Sequence, residues 1–202
     1  MQRVRTAVIL CGGHSSRAGV DKQLLPCEGT TLPLAIATKL RSVFPEIIIA
    51  TNAVERYAGS GCVVVRDAVD DAGPLAGILT DLLHASGEYA YVTAGDMPWP
   101  NLAYIRWMTE LLETDSPAAV ATRQGTDHLE PFNSIFAVRC AGSMRAAIDR
   151  GERGVCRFLR SSGQAVFIPE EFARRFSPDG SMFASINTRA DVQRFLCGTN
   201  NP

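Results

Sequence analysis

Short apolar runs, each ending on a glycine or a polar residue, alternate with stretches of helical spacing along the first half of the chain. Val4 to Leu10 is mostly apolar and stops at glycine, the pattern of a buried strand. Leu32 to Val43 places apolar residues at Leu34, Ala37, Leu40 and Val43, a helical period, with Pro33 in a first-turn position. Ile47 to Ala50 predicts a second buried strand closing at Thr51-Asn52, and Cys62 to Arg66 a third closing at Asp67. Leu75 to Ser86 reads as a helix behind the Gly73-Pro74 break, and Tyr89 to Ala94 as a fourth strand ending at Gly95-Asp96. Strands alternating with helices predict an α/β fold: three layers, α/β/α, around a mostly parallel, Rossmann-like sheet with right-handed crossovers.

Open sheets of this kind bind ligands outside the carboxyl ends of their strands. Cys11-Gly12-Gly13, Asn52, Asp67 and Asp96 each fall at such an end, so four polar strand ends should share one rim. The second half predicts a helix from Asn101 to Leu112, a strand from Ala118 to Thr122, and a polar loop from Arg123 to Pro131. A strand from Asn133 to Val138, a helix from Ala141 to Arg150 and a short helix from Val155 to Leu159 follow. Ala165 to Ile168 reads as an edge strand and Phe183 to Asn187 as a short extended piece. Thr188 to Leu196 reads as a closing helix capped by Thr188. With no internal repeat or linker, one domain over residues 1–202 is expected.

Composition narrows the setting. A formal net charge of −1 gives no reason to expect a nucleic-acid or membrane partner. The six cysteines include no C-x-x-C pair, which argues against zinc and for unpaired thiols in a reducing cytoplasm. No apolar stretch is long enough to span a bilayer.

The chemistry concentrates between Leu10 and Pro26. Gly12, Gly13 and Gly19 bare the backbone where a ligand can lie against it. Successive N–H groups in such a turn form an anion cup, and Arg17 and Lys22 add two positive charges. A polyphosphate suits that combination. The Walker A spacing is absent, because five residues separate Gly13 from Gly19 and Lys22 lies beyond it. The dinucleotide fingerprint is absent too, because Gly12 and Gly13 are adjacent. The remaining pattern, L-x-G-G-x-S-x-R-x-G-x-D-K, resembles the signature of nucleotidyltransferases, and more narrowly the molybdenum cofactor guanylyltransferases. That resemblance implies the fold of the nucleotide-diphospho-sugar transferases. It also implies a nucleotide-binding half over residues 1–100 and an acceptor-binding half over 101–202.

Asp96, in Ala94-Gly95-Asp96-Met97-Pro98, resembles the aspartate of the family's C-D-M-P segment, with Gly95 in place of the cysteine. A single strand-end carboxylate with substrate phosphates is sufficient ligation for magnesium. Asp67 and Gly73-Pro74-Leu75-Ala76-Gly77 match the family's aspartate and G-P-L-A-G turn; on spacing alone Gly73 and Gly77 equally suit a helix-opening turn. Asn52 offers a donor and an acceptor to base or ribose, or simply ends a strand. By resemblance Leu10, Cys11, Gly12, Gly13, Lys22 and Asn52 contact the nucleotide. In the acceptor half Glu130-Pro131-Phe132 resembles E-P-L, and Ile186-Asn187-Thr188 with Asp191 resembles N-I-N-T-P-E-D. Ser185, Arg189 and Ala190 depart from that last motif.

The resemblance implies GTP and Mg²⁺, with molybdopterin as acceptor and other cofactor-maturation proteins as potential contacts. Arg17, Lys22 and Asp96 would carry catalysis by alignment and charge neutralisation. A sibling transferase with another base or acceptor stands as the alternative, as does a silent nucleotide-binding module.

Overall fold

The computed structural model describes residues 3–12, 19–66, 73–114, 116–124 and 128–198. Strand β1 (Val4–Leu10) leads through a two-stranded hairpin, β2 (Pro26–Cys27) and β3 (Thr30–Thr31), into helix α1 (Leu32–Leu40). Then come β4 (Glu46–Ala50), β5 (Val63–Val65), α2 (Pro74–Leu82), β6 (Tyr89–Ala94) and α3 (Leu102–Thr114). The second half supplies β7 (Ala119–Gln124), β8 (His128–Ala137), α4 (Ala141–Asp149), α5 (Val155–Ser161), β9 (Ala165–Pro169), α6 (Glu170–Ala173) and α7 (Arg189–Leu196).

Seven strands form one sheet in the order β5-β4-β1-β6-β8-β7-β9. The first four are parallel, as expected from the alternation. β8 runs antiparallel to both neighbours, and β9 pairs in parallel with β7 at the edge. The central strands are apolar without alternation because both faces are covered; β6 buries Tyr89, Ala90, Tyr91 and Val92 completely. Helices α4 and α5 both pack on α2. On α3, Arg106 Nη2 donates to Ser42 O beyond α1, and Trp107 lies 4.5 Å, ring to ring, from Phe172 of α6. Among the described residues no helix is long and apolar enough to cross a membrane.

Three expectations need correcting. The polar stretch from Arg123 to Pro131 is largely strand: β7 extends to Gln124 and β8 begins at His128, so six of its nine residues belong to the sheet. Backbone pairing from Thr122↔Glu130 to Gln124↔His128 holds it, which does not require apolar side chains. Helix α1 stops at Leu40 rather than Val43, where the N–H groups of Val43 and Phe44 both turn to Leu40 O. The extended piece begins only after Phe183, which closes a 3₁₀ turn over Ser181–Phe183. Thr188 caps α7 as expected, in a reciprocal box with Asp191.

Candidate active site

Backbone bonds tie four strand ends into one rim. Thr51 N–H donates to Val65 O at 2.9 Å, Cys11 N–H to Ala50 O at 2.7 Å, and Gly95 N–H to Leu10 O at 2.8 Å. The segment after Gly19 then folds back across this rim. Its 3₁₀ turn, Lys22–Leu24, starts at Asp21, whose carboxylate accepts from Gln23 N–H at 3.1 Å and pairs with Arg56 at 2.5 Å. Gln23 fastens the turn: Nε2 donates to Cys11 O at 2.6 Å, while Oε1 accepts from Tyr57 at 2.9 Å and Thr51 at 3.2 Å.

That fastening aims Lys22 inward. Its Nζ lies 2.7 Å from Asp96 Oδ2 and 3.1 Å from Asn187 Oδ1. The two charged side chains are largely sheltered, at 17% and 22% exposure. Ile186 N–H donates to Asp96 O at 2.9 Å, so the segment before α7 is strapped to the end of β6. Asn187 N–H and Thr188 N–H both donate to Asp191 Oδ2, at 2.9 and 2.7 Å. Burial works against the Asp191 anion, but these donors, the Thr188 hydroxyl and Arg194 hold its carboxyl down to about 2.

Glu130 approaches Asp96 from β8. The antiparallel register pairs Val92 with Ser134, and beyond it Glu130 comes close enough to feel the Asp96 charge. Burial raises the Glu130 carboxyl from 4.5 to about 7; the Phe132 N–H at 3.1 Å opposes this, and the Asp96 charge adds to it. The folded chain therefore retains a proton that the unfolded chain loses near pH 4.5. Folding stability should fall as pH rises from about 4.5 to about 7. Urea midpoints across this window should fall less steeply for Glu130→Gln than for the parent; identical slopes would remove Glu130 as the cause.

Beside Glu130, Asn133 adopts a left-handed φ of 60° and is buried. Its Oδ1 accepts from the Tyr91 hydroxyl at 2.8 Å, and its Nδ2 has no partner among the described residues.

Gly95 and Cys11 explain one another. A Cβ at position 95 would stand 2.7 Å from Cys11 Sγ and 3.2 Å from Leu10 O. The buried thiol, raised to about 12 by desolvation against its bond to Tyr57, fills space where the resembling C-D-M-P segment carries its own side chain. Gly95→Ala should destabilise the fold by about 1–3 kcal/mol through overpacking. Adding Cys11→Ala should recover most of that loss, a coupling that urea unfolding of the double-mutant cycle measures.

The remaining predicted residues are placed less centrally. Gly12 and Asn52 are exposed beside the rim, and Asn52 O accepts from Arg66 at 3.4 Å. Gly73, at φ 77°, precedes Pro74 at the start of α2, where its missing side chain admits the Arg153 main chain, 3.1 Å from a Cβ built there. Leu75 and Gly77 are buried in α2, and Cys11 is 4% exposed, leaving chiefly main-chain atoms for any ligand. Gly13, Arg17 and Asp67 lie outside the described residues. Gln23, absent from the sequence-based set, is the residue that sets the loop against two strand ends and the Val54–Tyr57 turn.

Comparison with known proteins gives the family. The family model described as MobA-like NTP transferase domain matches residues 7–166. A molybdenum cofactor guanylyltransferase of Syntrophotalea carbinolica is 39% identical, covering 94% of this chain and 90% of that protein. A probable molybdenum cofactor guanylyltransferase of Peptoclostridium acidaminophilum is 35% identical, covering 94% and 87%. The crystal structure of molybdopterin-guanine dinucleotide biosynthesis protein A from Archaeoglobus fulgidus superposes with a TM-score of 0.78 at 22% identity, covering 96% and 98%. With a strand-end rim, a lysine folded onto an aspartate, and likeness over nearly its whole length, the chain belongs to the MobA-like NTP transferase family and is a nucleotidyltransferase.

Proposed function

We propose that the protein transfers the guanylyl group of GTP to the terminal phosphate of molybdopterin, releasing pyrophosphate. The contact that carries this reading is Lys22 on Asp96, with Asn187 from the acceptor half completing the cluster. The names of the two bacterial relatives support the choice of base and acceptor.

An acceptor phosphate oxygen attacks the α-phosphorus; a new P–O bond forms, and the bond to the bridging oxygen breaks as pyrophosphate departs with its electron pair. A phosphate monoester is already anionic at neutral pH, so attack needs no protein base. Lys22, with Arg17, neutralises the β- and γ-phosphates, and the main chain of Leu10, Cys11, Gly12 and Gly13 bounds the nucleotide. Asn52, Asp67 and the turn Gly73-Pro74-Leu75 with Gly77 line its base and ribose side. Glu130 and Asn187 face the acceptor.

Asp96 suits magnesium. Lys22 engages Oδ2 and leaves Oδ1 without a hydrogen-bond partner among the described residues. Among the described residues no three His, Cys, Asp or Glu side chains gather there, and a lone carboxylate suits a hard cation whose remaining oxygen ligands come from substrate phosphates. When bound, Mg²⁺ would supply charge neutralisation at the α-phosphate.

The test is pyrophosphate release with each of the four nucleoside triphosphates, with and without molybdopterin. Release with GTP alone among them, and only when molybdopterin is present, is expected. Release with CTP instead would make this a cytidylyl sibling, and tight GTP binding without release would make it a silent module.

A further inference from the structure

Arg189 stands where the resembling N-I-N-T-P-E-D motif has proline, and its guanidinium lies against the glycine-rich loop. A Cβ built on Gly19 would sit 2.6 Å from Arg189 Nε and 3.1 Å from Nη2. Gly19, at φ 71°, thus leaves room for the arginine as well as making the turn. Gly19 also lies three residues before Lys22. The strap that carries Arg189 is fixed to both charged residues of the site, through Ile186 N–H on the Asp96 backbone carbonyl and through Lys22 Nζ donating to Asn187 Oδ1.

Among the described residues no carboxylate pairs with Arg189. Asp191, the acidic group on its own helix, is taken by Asn187, Thr188 and Arg194. Arg189 also occupies the first position of α7, the positive end of the helix dipole, where an arginine is unfavourable and an anion is welcome. A proline there would suit the helix better. An exposed cation that harms its own helix and lies against Gly19, three residues before Lys22, is explained by a bound anion.

We propose that Arg189 is a further cation of the triphosphate site, gripping the β- and γ-phosphates together with Lys22. This rests on the guanylyltransferase reading above. It adds a cation from the acceptor half to the nucleotide's leaving group, so that pyrophosphate departs past the strap before α7.

The experiment compares the parent with Arg189→Pro, Arg189→Ala and Arg189→Lys, measuring magnesium-supported binding of GTP and GMP and the KM for each substrate. Loss of the cation should weaken GTP binding, and product inhibition by pyrophosphate, about ten- to a hundredfold, the range of a hydrogen bond to a charged group. GMP affinity and the KM for molybdopterin should hold, and the lysine variant should fall between. The proline variant, compatible with the helix start, should keep the parent's melting temperature, which separates ligand loss from misfolding. Equal weakening of GTP and GMP, a shift confined to molybdopterin, or no shift would overturn the assignment. Parent protein that binds GTP but transfers nothing would instead overturn guanylyl transfer, leaving the GTP-to-GMP contrast to judge Arg189.

Discussion

Asp96→Asn lowers magnesium-dependent turnover about a thousandfold or more, the several kcal/mol that metal-borne charge stabilisation supplies. The change keeps the size of the side chain and removes the anion on which both Lys22 and the metal depend. The fold should survive, because Asp96 is partly exposed at the rim and its structural bond to Ile186 uses the backbone carbonyl. Initial rates of pyrophosphate release, taken with a thermal melt of the same sample, check both halves of the claim. An asparagine variant with parental turnover would remove Asp96 from the mechanism.

Lys22→Ala follows at about ten- to a thousandfold in kcat, the usual loss when one preorganised charge stabiliser is removed. Arg17→Ala should fall in the same range. For lysine the geometry sharpens the expectation: Nζ has Asp96 and Asn187 as partners across 74 and 165 residues of sequence. Its loss therefore removes the loop's links to Asp96 and to the strap before α7, while Gln23 still holds the turn to the rim. Steady-state kinetics over a GTP titration would separate a fall in kcat from a rise in KM. A variant altered in KM alone would reduce Lys22 to a binding group.

The parallel half of this fold is legible in the chain because burial on both faces leaves unbroken apolar runs such as Ile47 to Ala50. Polar residues then cluster where those runs stop. The reach of β8 is not legible: polar residues such as His128 and Glu130 ordinarily signal a loop, and pairing with β7 keeps them in the sheet. The two-residue strands of the β2–β3 hairpin are too short for any period to register. Within the site, Lys22 and Asp96 could be picked out because each carries charge at the edge of an apolar segment. Gln23 could not, since its partners lie 12, 28 and 34 residues away and nothing local marks a glutamine for that task. The match of Cys11 to Gly95 was hidden in the same way: it is a matter of volume between two strand ends.

The lysine seated on Asp96 also sets an order of events. Without a nucleotide the ammonium group is a tethered counterion, and a free divalent ion must share the single Asp96 charge with it. A polyphosphate offers that ammonium a more highly charged partner and brings its own cation along. Metal and nucleotide should therefore enter together as a chelate, and calorimetric titration with magnesium chloride alone should yield little heat until the nucleotide is added.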